Sequence, residues 1–67
     1  MNQPLFQVRE GATEISSHQH AWQAGAVCYE NQGGRKVYET FLDGRPEREF
    51  TGECLKAFKE HPTFQAF

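Results

Sequence analysis

The segment Arg35–Phe50, RKVYETFLDGRPEREF, limits the architectures open to this chain more than any other stretch. Asp43-Gly44 suits a two-residue hairpin turn, because such turns need positive φ at their centre and Asp and Gly tolerate it best. That turn sets a register in which Val37 faces Phe50, Tyr38 faces Glu49, Glu39 faces Arg48 and Phe41 faces Pro46. An apolar pair and an opposite-charge pair then share a face, as cross-strand energetics favours. Pro46 offers no donor to a ladder, which makes its strand an edge.

Upstream, AGAVCYENQGGRKVYE predicts a second hairpin. With Gln32-Gly33 as its turn, Glu30 faces Arg35, Cys28 faces Val37 and Val27 faces Tyr38, and Gly34 offers a register one residue away. The result is a three-stranded meander. One face carries Ala26, Cys28, Val37, Phe41 and Phe50; the other carries Val27, Tyr29, Tyr38 and Thr40 beside Lys36, Glu47 and Glu49. In TGECLKAFKEHP, Thr51 suits a helix N-cap, Glu53 the first turn and His61 the last, with Pro62 as the stop. Leu55 and Phe58 are three apart and, with Cys54, cover the first face. Before the meander, Leu5, Phe6, Val8 and Ile15 flank a turn at Gly11 and predict at least one further strand, which either folds over the second face or leaves it open. The expected fold is α+β: an antiparallel sheet of three to five strands, a meander of hairpins, with a C-terminal α-helix packed on one face.

A chain of 67 residues makes one small domain, 1–67, ending in an aromatic tail over 62–67. At this size about 60% of the unfolded surface is buried, so the core is thin. Two cysteines, Cys28 and Cys54, are too few for a disulfide framework, and the N-terminus has no basic-then-apolar segment; the expectation is a cytoplasmic protein with reduced thiols. No apolar run approaches the roughly 18 residues of a membrane span. A net charge of −2 gives no global attraction to nucleic acid or anionic lipid.

The nearest approach to a chemical motif is His18-x-His20 in SSHQHAWQAG. On a helix these side chains diverge by about 200°; on a strand they point the same way, roughly 7 Å apart, and can share an ion. The alternation Trp22, Ala24, Ala26, Cys28 favours the strand. Read so, GATEISSHQHAWQAGAVCYENQGG is similar in outline to the first metal-binding motif of cupins, in which a carboxylate follows the histidine pair; Ala24 and Gly25 stand in that place here. A zinc site completed by Cys28, Cys54 or His61 lacks the closely spaced ligand pairs such sites use. Surface histidine is therefore the expected role of His18 and His20, no cofactor is expected, and their metal reading is the alternative. Ser16, Ser17, Cys28 and Cys54 have no patterned base beside them, which points to a non-catalytic protein.

Three antiparallel strands followed by a helix resemble, in outline, the arm-binding domains of phage integrases and plant AP2 domains, which read DNA with the sheet. That resemblance implies contacts from Arg35, Lys36 and Arg45, against the acidic Glu47 and Glu49 on the same face. Protein binding fits the residues better. Tyr29 and Tyr38, rimmed by Glu47 and Glu49, make an aromatic centre with a charged edge. Trp22, Phe64 and Phe67 add more aromatic surface than a thin core hides, which calls for a protein partner or a homodimer mate. The expected function is that of a small regulator docking on a protein partner. In size and character the chain is similar to accessory proteins of phages and other mobile elements, including inhibitors that act by occlusion.

Overall fold

The computed structural model describes residues 3–65. Strands β1 (Leu5–Glu10) and β2 (Thr13–His18) form a hairpin around Gly11, followed by helix α1 (Ala21–Tyr29), strands β3 (Arg35–Thr40) and β4 (Arg48–Glu49), helix α2 (Thr51–Glu60) and a short helix α3 (Pro62–Gln65). The architecture is α+β, with one antiparallel sheet in the order β2-β1-β3-β4. β1 is thus a central strand, paired with β3 from Leu5↔Thr40 to Glu10↔Arg35 without a break. Its pairing with β2 shifts between Val8↔Ser16 and Arg9↔Glu14, leaving Ile15 as the extra residue of a bulge.

Alternation along the strands decides the two faces. Phe6 and Val8 of β1 and Val37 and Glu39 of β3 are buried under the helices. Gln7, Arg9, Lys36 and Tyr38 take the opposite side. The core is Phe6, Val8, Ala24, Cys28, Val37 and Cys54, with Ala21, Val27, Phe50 and Leu55 packed against it. Phe6 and Phe50 stack with ring centroids 5.7 Å apart. The buried Glu39 side chain is paired with Arg48 at 2.6 Å.

The largest correction concerns residues 21–30. The meander's first strand is instead α1, and Gln32-Gly33 lies in the turn that leads from it to β3. Almost every residue in AWQAGAVCY is apolar, so alternation and the i, i+3, i+4, i+7 spacing of Ala21, Ala24, Gly25 and Cys28 are both satisfied. Alanine's helix propensity and its poor strand propensity break the tie. Close packing then fixes α1 on α2: a Cβ on Gly25 would lie 2.0 Å from the Cys54 carbonyl oxygen and 2.9 Å from Phe58 Cβ. Arg35 closes the helix's C-terminal end, its Nη1 donating to the Val27 carbonyl at 2.8 Å while Glu10 and Glu30 accept at 3.1 and 3.3 Å. Glu30 and Arg35 do meet, but across a helix end and not across a hairpin.

In the β3–β4 segment the expected register holds. Tyr38 pairs with Glu49 and Glu39 with Arg48, and the Phe50 amide donates to the Val37 carbonyl at 2.8 Å. The connection differs. Only Gly44 takes positive φ, at 89°, whereas a type I′ turn needs Asp43 there too. Residues 41–47 therefore form a longer loop, held by Asp43 accepting from the Arg45 amide at 3.2 Å and pairing with its guanidinium at 2.9 Å. Phe41 lies under that guanidinium, 4.1 Å from centroid to Cζ, outside the core. β4 is an edge strand, as Pro46 required.

α2 starts one residue earlier than expected in capping terms: Phe50 is the N-cap residue and makes no side-chain cap bond. The Thr51 hydroxyl is committed elsewhere, accepting from the Val37 amide at 3.0 Å and donating to Glu49 at 3.1 Å. Pro62 ends α2 and begins α3, for which a missing amide at the first position costs nothing.

Candidate aromatic groove

α1 places Trp22 and Tyr29 seven residues apart, and therefore on one side of the helix, away from the sheet. α2 brings Phe58 and His61 to meet them, and α3 adds Phe64. Tyr29 packs on Phe58 at 5.5 Å and on Phe64 at 5.3 Å, and Phe58 meets Phe64 at 5.2 Å, the last two contacts edge to face. Lys59 holds its ammonium 5.9 Å from the Tyr29 ring centroid. Between α1 and the α2–α3 corner lies a groove of about 530 Å³ lined by Ala26, Tyr29, Phe58 and Phe64, with Glu30 and Thr63 at its rim. Tyr29 remains 38% exposed, so its ring is offered to solvent and not sealed into the core. Trp22 is half-buried, stacked on the His61 ring at 3.9 Å and 13°.

The expected docking patch is thereby divided. Tyr29, Trp22 and Phe64 share the helical layer, whereas Tyr38, Glu47 and Glu49 belong to the open face of the sheet or its flanking loop. Phe67 lies outside the described residues. On the open face Arg9 lies over the Tyr38 ring at 4.4 Å and pairs with both Glu47 oxygens at 2.7 and 2.8 Å. The Arg9 guanidinium holds the Glu47 carboxyl below its usual range. Among the described residues no second core layer forms on that face, because the N-terminal segment expected to cover it is β1 itself. Sequence reasoning placed Phe58 in the core, where it is indeed buried, but did not bring it or Ala26 to the groove beside Tyr29 and Phe64. The distance in sequence between α1 and α3 hid the way these residues meet.

The cations expected to meet nucleic acid are scattered. Arg35 is bound to Glu10 and Glu30, Arg45 is paired with Asp43, and Lys36 is exposed on the open face. The histidine pair is also divided. β2 ends at His18, whose Nε2 shares a 2.7 Å hydrogen bond with Ser16 Oγ, and His20 is the exposed N-cap residue of α1. Burial disfavours the His18 imidazolium and lowers its pKa. Among the described residues no group of three His, Cys, Asp or Glu side chains is placed to hold a metal ion. Cys28 and Cys54 are buried free thiols; Cys28 donates to the Arg35 carbonyl at 3.3 Å, and burial pushes the Cys54 thiol up to about 12. Among the described residues no helix is long and apolar enough to cross a membrane. Compared with protein-family models, with curated proteins and with solved structures, the chain shows no match.

Proposed function

We propose that this chain is a non-catalytic regulator that docks on a protein partner through the groove between α1 and the α2–α3 corner. The observation that carries this reading is the apolar aromatic cluster in which the exposed Tyr29 ring and half-buried Phe64 pack on the buried Phe58, beside the exposed Glu30 and Thr63. That arrangement is how protein interfaces are built: an aromatic anchor region at the centre and charge at the edge. The partner would insert an apolar side chain over Ala26 and bring a basic group to Glu30. The setting we infer is the cytoplasm, and the mode of action is occlusion of the partner's own surface, in the manner of small inhibitors from mobile elements.

A photo-reactive phenylalanine analogue placed at Tyr29 tests the reading in cells. An adduct at position 29, without one at a control position 38 on the sheet face, is the expected result. An adduct of twice the chain's mass would replace the partner protein by a second copy. Equal labelling from both positions, or none from position 29, would remove the groove as the docking surface.

A further inference from the structure

His61 joins α2 to α3 and is held from two sides. Its backbone leaves α2 in an extended conformation, and its carbonyl accepts from the Phe64 and Gln65 amides at 3.0 and 3.3 Å. Its ring Nδ1 accepts from the Thr63 amide at 3.1 Å. Pro62 has no amide hydrogen, and the Thr63, Phe64 and Gln65 amides of α3 all bond to His61. The opposite attachment is the Trp22 indole of α1, parallel to the imidazole at 3.9 Å. α3 in turn carries Phe64 onto Tyr29 and Phe58.

We propose that His61 is a proton-operated latch on the groove: its neutral ring caps α3 and holds Phe64 against Tyr29 and Phe58, and protonation lets α3 go. A neutral imidazole has one nitrogen with a free lone pair, and the Thr63 contact requires that nitrogen to be Nδ1. In the imidazolium both nitrogens donate, so an N–H would face the Thr63 N–H and the cap bond is lost. The Trp22 stack survives, because a cation is favoured over the indole face. A proton therefore breaks one attachment and keeps the other: the ring stays with α1 while α3 is released. The groups around the ring leave this balance to the two contacts. α1 carries no charged side chain over Ala21–Tyr29, with His20 exposed at its N-cap; α2 contributes Lys59 and Glu60, both exposed; α3 has no charged residue; and no ion pair reaches His61 among the described residues. The latch rests on the docking reading only for its use, as regulation of that groove.

The test follows the whole chain by NMR and Trp22 fluorescence from pH 8 to pH 5, the interval in which histidine side chains change charge. In the wild type the Thr63 amide should shift, Tyr29–Phe64 ring cross-peaks should weaken, and Trp22 emission should fall as the stacked imidazolium quenches it. Loss of a cap moves the docking equilibrium of α3 by roughly 2- to 30-fold. In His61→Asn an oxygen replaces Nδ1 as a cap that does not titrate, so the Thr63 and Phe64 signals should become independent of pH. His61→Ala should resemble the acid wild type already at pH 8. Unchanged Thr63 and Phe64 signals in the wild type, or an equal response in His61→Asn, would overturn the latch. Acid release of α3 in a chain that captures no partner from position 29 would keep the latch and remove the docking reading; crosslinking at Tyr29 with a flat titration would do the reverse.

Discussion

At Gly25 α1 packs directly on α2, and the site shows how the effect of one methyl group can reverse sign with its surroundings. At Gly25 a Cβ meets the Cys54 carbonyl at 2.0 Å, so α2 must move. At Gly52, in the first turn of α2, a Cβ meets nothing within 4 Å. Gly25→Ala should lower stability by about 2 kcal/mol, since overpacking exceeds the gain in helix propensity. Gly52→Ala should raise it by about 0.5 kcal/mol. Urea unfolding followed by circular dichroism measures both. His18 gives a second prediction. Burial lowers its folded pKa beneath the usual 6.5, so the folded state binds a proton less readily than the unfolded chain. Its contribution is complete above that usual value and is lost as pH falls below it, down to the folded pKa. Stability measured between pH 7 and pH 5 should fall less steeply in His18→Gln than in the wild type, by at most about 1.4 kcal/mol per pH unit.

Among the elements, β3 and α2 are stapled by a side chain that a capping argument would assign elsewhere. The Thr51 hydroxyl accepts from the Val37 amide at 3.0 Å, next to a residue with no exposed surface. Thr51→Val keeps the shape and removes the acceptor, leaving that amide unpaired; thermal or urea unfolding should show a loss of about 1–3 kcal/mol, with Thr51→Ser close to wild type. The same elements show what could be read from residue order and what could not. Tyr38↔Glu49 and Glu39↔Arg48 were legible because a register centred on Asp43-Gly44 puts an apolar pair and an opposite-charge pair on one face, and the pairing holds although the turn itself differs. Around Gly11 the apolar Leu5, Phe6, Val8 and Ile15 made at least one further strand legible, but not its pairing, which a bulge at Ile15 interrupts. α1 was not, because Trp22–Tyr29 is apolar at nearly every position and satisfies both periods. What resolves it is tertiary: the fit of Gly25 against Cys54 and the Arg35 closure of the helix end. The groove was legible in part, through the surplus of aromatic residues at Tyr29 and Phe64. Its partition from Tyr38 was not, since that depended on α1 being a helix.

For the molecule as a whole, two layers suffice to hide the inner face of the sheet, and principal extents of 38 × 27 × 16 Å show how thin the result is. Both thiols lie at the centre of that layer contact with no exposed surface. A thiol reagent at pH 8 should therefore label Cys28 and Cys54 together, at the rate of unfolding, at least about 10³-fold slower than in denaturant. Separate labelling of either would place it in a locally opening segment. The position of β1 has a consequence for how the protein is made. It leaves the ribosome before the elements that cover it, lying between β2 and β3 and beneath helices encoded after it. While the chain grows, the β1–β2 hairpin emerges with one margin of β1 bare until Arg35–Thr40 is out, and with Phe6 lacking its stacking partner until Phe50 arrives. A nascent chain arrested short of residue 50 should be cut rapidly by protease within Leu5–Glu10, and one released with α2 should not. Burial order runs opposite to birth order in this fold: elements encoded later seal one encoded before them.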